Sequence, residues 1–410
     1  MGGIHEIAAN GKAAVKLLMQ RMKRRKPGPI RVGFLCQYIP AWNKAEPVYA
    51  AMCQDPGFAP ILLCVPSGIR HNRLEEPEGG NDTYEYYVNH GYQAVNTLLD
   101  GGQWLDLTPL ALDYVFYLRP YDDVMPEPYL SGAVSKIAKI CVIMYGMTMT
   151  KEVLKVTLEP GFFRNVFCYF AESDYAARVN RGHFPLTHFL GLQRSMYCGI
   201  PAMSQILQEK HAPSDAWDFS PGTFRVLWTP RWTTDPKLGG TNFFMYKDWI
   251  LDYAAGHPDA ACLLRPHPMA FQNFISTGEM TAQEVADYQC RCAAMPNVDI
   301  DARKTYISTM WHSSVLVSDI SGVMPEYFIM NKPLIFCRSN MALEPTGFTS
   351  RMLEGCYVVD NGVELEACLE RLRMGEDPLR STRERLIQEL FGDTLDTSVA
   401  SILGVLKKEV

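Results

Sequence analysis

The chain has no excess of basic residues. Over 410 residues it carries 39 Lys and Arg against 45 Asp and Glu, a formal charge of -6. That balance argues against a dedicated nucleic-acid binder, which needs cationic side chains to neutralise phosphates. Paired cysteines are also missing. The 12 cysteines are scattered, only Cys290 and Cys292 stand close together, and no C-x-x-C occurs, so neither a zinc site nor a disulfide framework is expected. No acidic cluster has metal-site spacing and no short-period repeat is found, so no metal or other cofactor is expected. There is no apolar run long enough to span a bilayer and no secretory signal, which points to the reducing cytoplasm.

What is present is material for cores. Apolar residues make up 47% and charged ones 20%, the composition of a globular protein rather than a disordered one. The length exceeds what one core usually supports, so two domains are the prior. Basic residues are unevenly placed. Residues 4 to 25 read as a helix, with Ile4, Ile7, Ala8, Val15, Leu18 and Met22 at near-helical spacing and the cluster Arg21, Lys23, Arg24, Arg25 and Lys26 at its end. Such a handle can lie on an anionic membrane surface or simply pack on the body by its apolar face.

From Pro29 the pattern becomes strand, loop and helix in alternation. Buried strands are read at 30–36, 58–65, 114–118, 137–145 and 166–171, with a helix at 45–53, a mobile loop at 69–81, a helix from about 82 to 89, and a short edge element at Phe189-Leu190-Gly191. Residues 201–222 read as the link, helical from 202 to 209. A second series follows at 224–229, 260–265, 315–317, 333–336 and 356–360, then helices at 365–372, 382–390 and 398–408. The expected division is a basic amphipathic helix (1–26), two Rossmann-like domains (27–205 and 206–390) and a C-terminal helix (391–410). In doubly wound sheets the loops after the strands face the ligand, so a cleft between the two halves is where chemistry is expected.

The most informative stretch is 313–337, a βαβ unit. Its first strand ends in Ser318-Asp319, and Ser321-Gly322 sit where the next helix begins, a corner suited to a phosphate. Glu326 lies about a turn further on, in reach of sugar or polyol hydroxyls. Asp319 or Ser321 could equally be a helix cap.

Three strand ends in the second half carry Trp-Thr-Pro-Arg-Trp, Leu-Arg-Pro-His-Pro and Ser-Asp-Ile-Ser-Gly-Val...Glu...Lys-Pro. Together and in this order they resemble the CDP-glycerol:poly(glycerophosphate) glycerophosphotransferase family, the enzymes of teichoic-acid-type phosphopolymers, over roughly residues 140 to 340. The resemblance implies a GT-B fold, α/β with two Rossmann-like doubly wound domains facing a central cleft. It also implies transfer of a glycerol or ribitol phosphate from a CDP-polyol to a hydroxyl of a glycan, lipid-linked or phosphopolymer acceptor, with release of CMP. Carried over by position, Arg265 and His267 would line the donor diphosphate. Asp319, Ser321 and Gly322 match the family's Asp-Tyr-Ser-Ser turn, Glu326 stands near a family Asp, and Thr229, Arg231 and Trp232 match a third donor segment loosely.

One position departs. Where the family has Trp-His-Gly, this chain has Met144-Tyr145-Gly146, and a tyrosine, with an ordinary pKa near ~10, is a poor base. His267, Asp122 and Tyr145 are the catalytic candidates, with Asp123, Glu172 and Asp174 as further strand-end carboxylates, while Arg119 could bind an anionic acceptor or pair with the aspartates. The alternatives are a GT-B glycosyltransferase using a nucleotide-diphosphate sugar, and a catalytically silent binding protein of the same fold. A cytoplasmic protein attached peripherally to the inner membrane surface through the first helix is expected.

Overall fold

The structure is a computed structural model that describes residues 2–22, 27–75, 80–214, 216–219, 223–303, 306–338 and 343–409. Of the basic cluster, Lys23 to Lys26 lie outside the described residues. The chain forms two compact units: residues 1–148, 153–203 and 393–410 make the first, and 149–152 with 204–392 the second.

The first unit is built on seven parallel strands, β1 (Ile30–Cys36), β2 (Phe58–Cys64), β3 (Ala94–Asn96), β4 (Tyr114–Tyr117), β5 (Lys139–Ile143), β6 (Val166–Ala171) and β7 (Arg194–Tyr197), in the spatial order β3-β2-β1-β4-β5-β6-β7. Successive side chains serve opposite faces, as the strand period requires. Phe34 and Phe116 enter one core while Leu35 and Tyr117 enter the other, and the Phe34 and Phe116 rings stack at 4.9 Å. Burial on both faces explains why these strands read as continuous apolar runs. The edge element read at Phe189-Leu190-Gly191 is instead the end of the Pro185–Phe189 helix and its turn, and the edge strand is the polar β7. The loop read at 69–81 contains a two-stranded hairpin, Ile69–Arg70 with Arg73–Leu74.

The C-terminal helix (Thr394–Lys408) is part of this first unit. Ile402 and Leu406 are fully buried in its core, Tyr114 donates to the Leu406 carbonyl at 3.0 Å, and Lys407 pairs with Asp55 at 2.6 Å.

The second unit has six parallel strands, β8 (Phe224–Thr229), β9 (Ala260–Leu264), β10 (Val298–Ile300), β11 (Val315–Ser318), β12 (Leu334–Cys337) and β13 (Tyr357–Val359), ordered β10-β9-β8-β11-β12-β13. Residues 149–152 join this unit, where Thr150 bridges Pro345 and Lys151 pairs with Glu344 at 2.7 Å. Both sheets thus follow the 3-2-1-4-5-6 order of dinucleotide-binding domains, whose strand order reverses between the first and fourth strands. In the second unit the reversal falls between β8 and β11, at Thr229 and Ser318, which are in register.

Candidate functional site

The crevice past the carboxyl ends of strands at such a reversal is where open α/β sheets bind ligands. Here Thr229 Oγ1 donates to Ser318 Oγ at 2.8 Å, tying the two strand ends together. Asp319 follows, fully buried. It accepts the backbone N–H of Arg231 at 2.7 Å, the Thr241 hydroxyl at 3.1 Å, the Asn242 N–H at 3.2 Å and the Asn242 side-chain amide at 2.7 Å. Burial pushes its pKa up, and the donated hydrogen bonds oppose that. Asp319 is therefore the anchor of the loop after β8, with both carboxylate oxygens engaged. Ser321 and Gly322 reach the surface. A Cβ at Gly322 would meet no heavy atom within 4 Å, so the corner above the Val323–Phe328 helix is open.

The Asp319 anchor fixes Arg231. Its Nη1 donates to the Ile320 carbonyl at 2.6 Å, and its buried Nε has no hydrogen-bond partner among the described residues. Gly239, at φ 104°, makes this placement possible, since a Cβ there would lie 2.8 Å from Arg231 Nε. Desolvation lowers the guanidinium's pKa, and Asp319 opposes the shift.

His267, on the loop after β9, is exposed. Its ring lies 6.2 Å from that of Trp232, and Trp232 is held through its carbonyl by Asn273 at 2.9 Å. Nδ1 accepts the Met269 N–H at 3.2 Å, which assigns the proton of the neutral ring to Nε2. Partial desolvation, and secondly the Arg231 charge, hold the imidazole below its ordinary pKa. Both effects favour the neutral form, in which the ring offers an Nε2–H donor.

Arg265 is committed elsewhere. Its guanidinium pairs with the buried Asp301, donates to the Arg303 carbonyl at 2.7 Å, and stacks over the Tyr306 ring at 5.3 Å. Tyr306 in turn donates to the buried Glu326 at 2.6 Å. Arg265 and Glu326 therefore form one bridged group, and Thr229, Arg231, Trp232, His267, Asp319 and Ser321 another. Lys332, from the Lys-Pro of the third segment, donates to the carbonyls of Met310, Trp311 and Ser313 at the end of the Ile307–His312 helix. It satisfies carbonyls that a helix end leaves unpaired.

In the first unit, Asp122 accepts the Ser131 N–H at 2.6 Å and its hydroxyl at 2.8 Å, and burial raises its pKa. It holds the start of the Ser131–Val134 helix. Tyr145 shares a 3.1 Å hydrogen bond with Tyr121, and burial pushes its phenol further up. Both oxygens of Asp122 are occupied, and neither group is poised as a base. Glu172, at the end of β6, is buried. It accepts the Tyr169 hydroxyl through Oε2, Oε1 has no hydrogen-bond partner among the described residues, and burial raises its pKa. Asp123 is exposed, and Asp174 pairs with Arg178 at 3.0 Å. Arg119 lies in no ion pair among the described residues; it hydrogen-bonds Gln37 at 3.1 Å and stacks over Tyr38 and Tyr121 at 4.8 and 5.6 Å.

No family model and no curated protein sequence matches this chain. Solved structures do. A UDP-GlcNAc 2-epimerase from Neisseria meningitidis bound to UDP-GlcNAc is similar at a TM-score of 0.62 and 12% identity, covering 92% of this chain and 100% of that one. MnaA of S. aureus, in a structure with UDP, is similar at 0.59 and 12%, covering 92% and 96%. The wall teichoic acid polymerase TagF, in a structure soaked with CDPG, is similar at 0.51 and 12%, covering 99% and 97%. The fold is of GT-B type.

Sequence reasoning passed over Thr241, Asn242, Asp301 and Tyr306. The Gly239-Gly240-Thr241-Asn242 run was a visible turn signal, but nothing local says that Asn242 reaches Asp319. No group of three or more His, Cys, Asp or Glu side chains among the described residues could hold a metal ion. At the β8 and β11 mouth His267 and Gly322 are exposed, the Ser321 hydroxyl shares a 3.3 Å hydrogen bond with Ser318 Oγ, and Arg231 Nε is buried without a hydrogen-bond partner among the described residues; N–H and O–H donors of this kind are the groups that bind a diphosphate.

Proposed function

We propose that this chain is a transferase using a nucleoside-diphosphate-linked donor, with a CDP-polyol as donor and a polyol phosphate as the group moved. The observation that carries the reading is the Nε of Arg231, buried and without a hydrogen-bond partner among the described residues, at the mouth between β8 and β11 that His267 shares. An orphaned buried donor is costly unless something anionic completes it. Arg231, His267 Nε2–H, the Ser321 hydroxyl and the Gly322 backbone would hold the diphosphate, and Trp232 offers an aromatic face to the donor. The similar folds carrying UDP, UDP-GlcNAc or CDPG support the donor class without choosing within it.

In the step proposed, an acceptor hydroxyl oxygen attacks the distal phosphorus as the bond to CMP breaks. The departing CMP phosphate, with a second pKa of about 6, takes the hydroxyl proton, so the reaction does not demand a protein base where Tyr145 stands. Positioning and charge stabilisation supply the rate. In the first unit Arg119, which lies in no ion pair among the described residues, is the candidate to hold an anionic acceptor, a surface glycan or phosphopolymer precursor made at the cytoplasmic face of the membrane.

The second reading is a GT-B enzyme acting at the sugar carbon of a UDP-sugar, which the UDP-bound similar folds favour. Incubation with CDP-glycerol, CDP-ribitol, UDP-GlcNAc and other nucleotide sugars, read by released nucleotide and by epimer formation, separates the two. CMP release from a CDP-polyol is expected. UDP release or epimerisation alone overturns the first reading, and no turnover with any donor favours the silent binding protein.

A further inference from the structure

The first helix (Gly2–Met22) packs on the first unit by a narrow face. Ala13 and Leu17 are buried, Gln20 Nε2 donates to the Ala138 carbonyl at 2.7 Å, and Lys16 Nζ donates to Gly132 O and Asn165 Oδ1 at 3.4 Å each. Packing of this face leaves a second apolar stripe in solvent. Val15, Leu18, Met19 and Met22 recur at the spacing of one helix face and are 51%, 47%, 66% and 75% exposed. A solvated helix would carry polar residues there.

The stripe does not stand alone. Arg21 Nη1 donates to the carbonyls of Leu190 and Gly191, 3.3 Å each, which pins the helix beside the Pro185–Phe189 helix and its turn. There Leu186 is 65%, Leu190 50% and Phe189 87% exposed. Two elements far apart in sequence therefore present large apolar side chains on neighbouring surface, which single exposed residues do not need explaining but a cluster does.

Charge selects the partner. Residues 1–26 hold seven Lys and Arg and one acidic residue, in a chain whose net charge is -6. An apolar ridge within a locally cationic region of an acidic protein matches a bilayer surface with anionic headgroups, the apolar side chains entering the headgroup and acyl boundary and the cations meeting phosphates. A second copy would bring the same positive charge against itself. No helix among the described residues is long and apolar enough to cross a membrane, so the mode is attachment in the interface plane.

We propose that Val15, Leu18, Met19 and Met22 of the first helix, together with Leu186, Phe189 and Leu190, form one surface that docks on an anionic lipid membrane. The 185–190 segment is the part with no basic residues of its own beyond His188, and it makes the surface broader than the helix. The inference does not depend on the transferase reading, because every residue in it belongs to the first unit and none to the donor mouth.

The test is co-sedimentation of the full chain with phosphatidylcholine vesicles, with and without phosphatidylglycerol. Binding is expected with the anionic lipid and is expected to weaken in high salt. Phe189→Glu and Met19→Glu, at positions the fold leaves in solvent, are each expected to cut partitioning about tenfold or more with circular dichroism and donor binding unchanged. No binding of the native chain to anionic vesicles, or undiminished binding of Phe189→Glu, overturns the proposal. So does concentration-dependent dimerisation in light scattering that Phe189→Glu abolishes, because a second copy is then the occupant.

Discussion

The side-chain amide of Asn242 donates to Asp319 at 2.7 Å and also to the Cys337 carbonyl at 2.8 Å, so one buried amide links the ends of β11 and β12 to the helix that begins at Phe243. Asn242→Ala removes both bonds and leaves a buried carboxyl short of a donor. Hydrogen bonds to charged groups contribute about 1.5–3 kcal/mol each. A loss of about 2–4 kcal/mol is expected, read as a lower urea midpoint at unchanged slope; a loss within error would remove Asn242 from the support of the site.

His267 acts in the proposal as a neutral donor. Its folded pKa is depressed, so the imidazole stays uncharged until the pH falls below the ordinary value of 6.5, and NMR titration is expected to place its midpoint under that value. His267→Ala is expected to lower donor turnover about 10²-fold, with His267→Gln, which keeps a donor N–H, recovering part of it. Equal loss in the two variants, or a midpoint above 6.5, contradicts the neutral-donor role.

Glu172 has a folded pKa raised by burial. The native chain then holds a proton that the unfolded chain releases, so this group's contribution to stability falls as pH climbs from the ordinary carboxylate range through the folded pKa. Glu172→Gln keeps an acceptor for Tyr169 without the charge. Its melting temperature is expected to gain on the parent's as the pH rises from the ordinary carboxylate range through the folded pKa, and to keep that gain above it. A variant less stable at high pH would show that the ionised carboxylate is preferred.

Lys332 is held at about 7 by desolvation and, secondly, by Arg225, against about 10.4 for an unfolded lysine. The unfolded chain binds more protons between these values, so this group's contribution rises with pH from about 7 to about 10.4. Lys332→Met, which cannot reach the three carbonyls, is expected to lose about 1–3 kcal/mol and to flatten that part of the stability profile. An unaltered profile in denaturant melts at pH 7, 8 and 9 would assign the slope to other groups.

Much of the fold was legible because strands buried on both faces must be apolar throughout. Runs such as Phe224–Thr229 and Val166–Ala171 admit few other readings. The strands that escaped, Ala94–Asn96, Val298–Ile300 and Arg194–Tyr197, are short edge pieces whose three or four residues carry no period. Phe189 and Leu190 were read as an edge element because apolar character alone does not tell a buried side chain from an exposed one.

By itself the sequence determined the alternation of strands and helices, two doubly wound halves, and the order of three polar strand ends in the second. Only the tertiary structure decided which of those polar groups remain free. Arg265 is taken by Asp301, 36 residues on, and Asp319 by donors 77 to 88 residues earlier. The physical reason is that a buried polar group must find a partner wherever the fold brings one, and such pairing across long separations leaves no local mark in the chain.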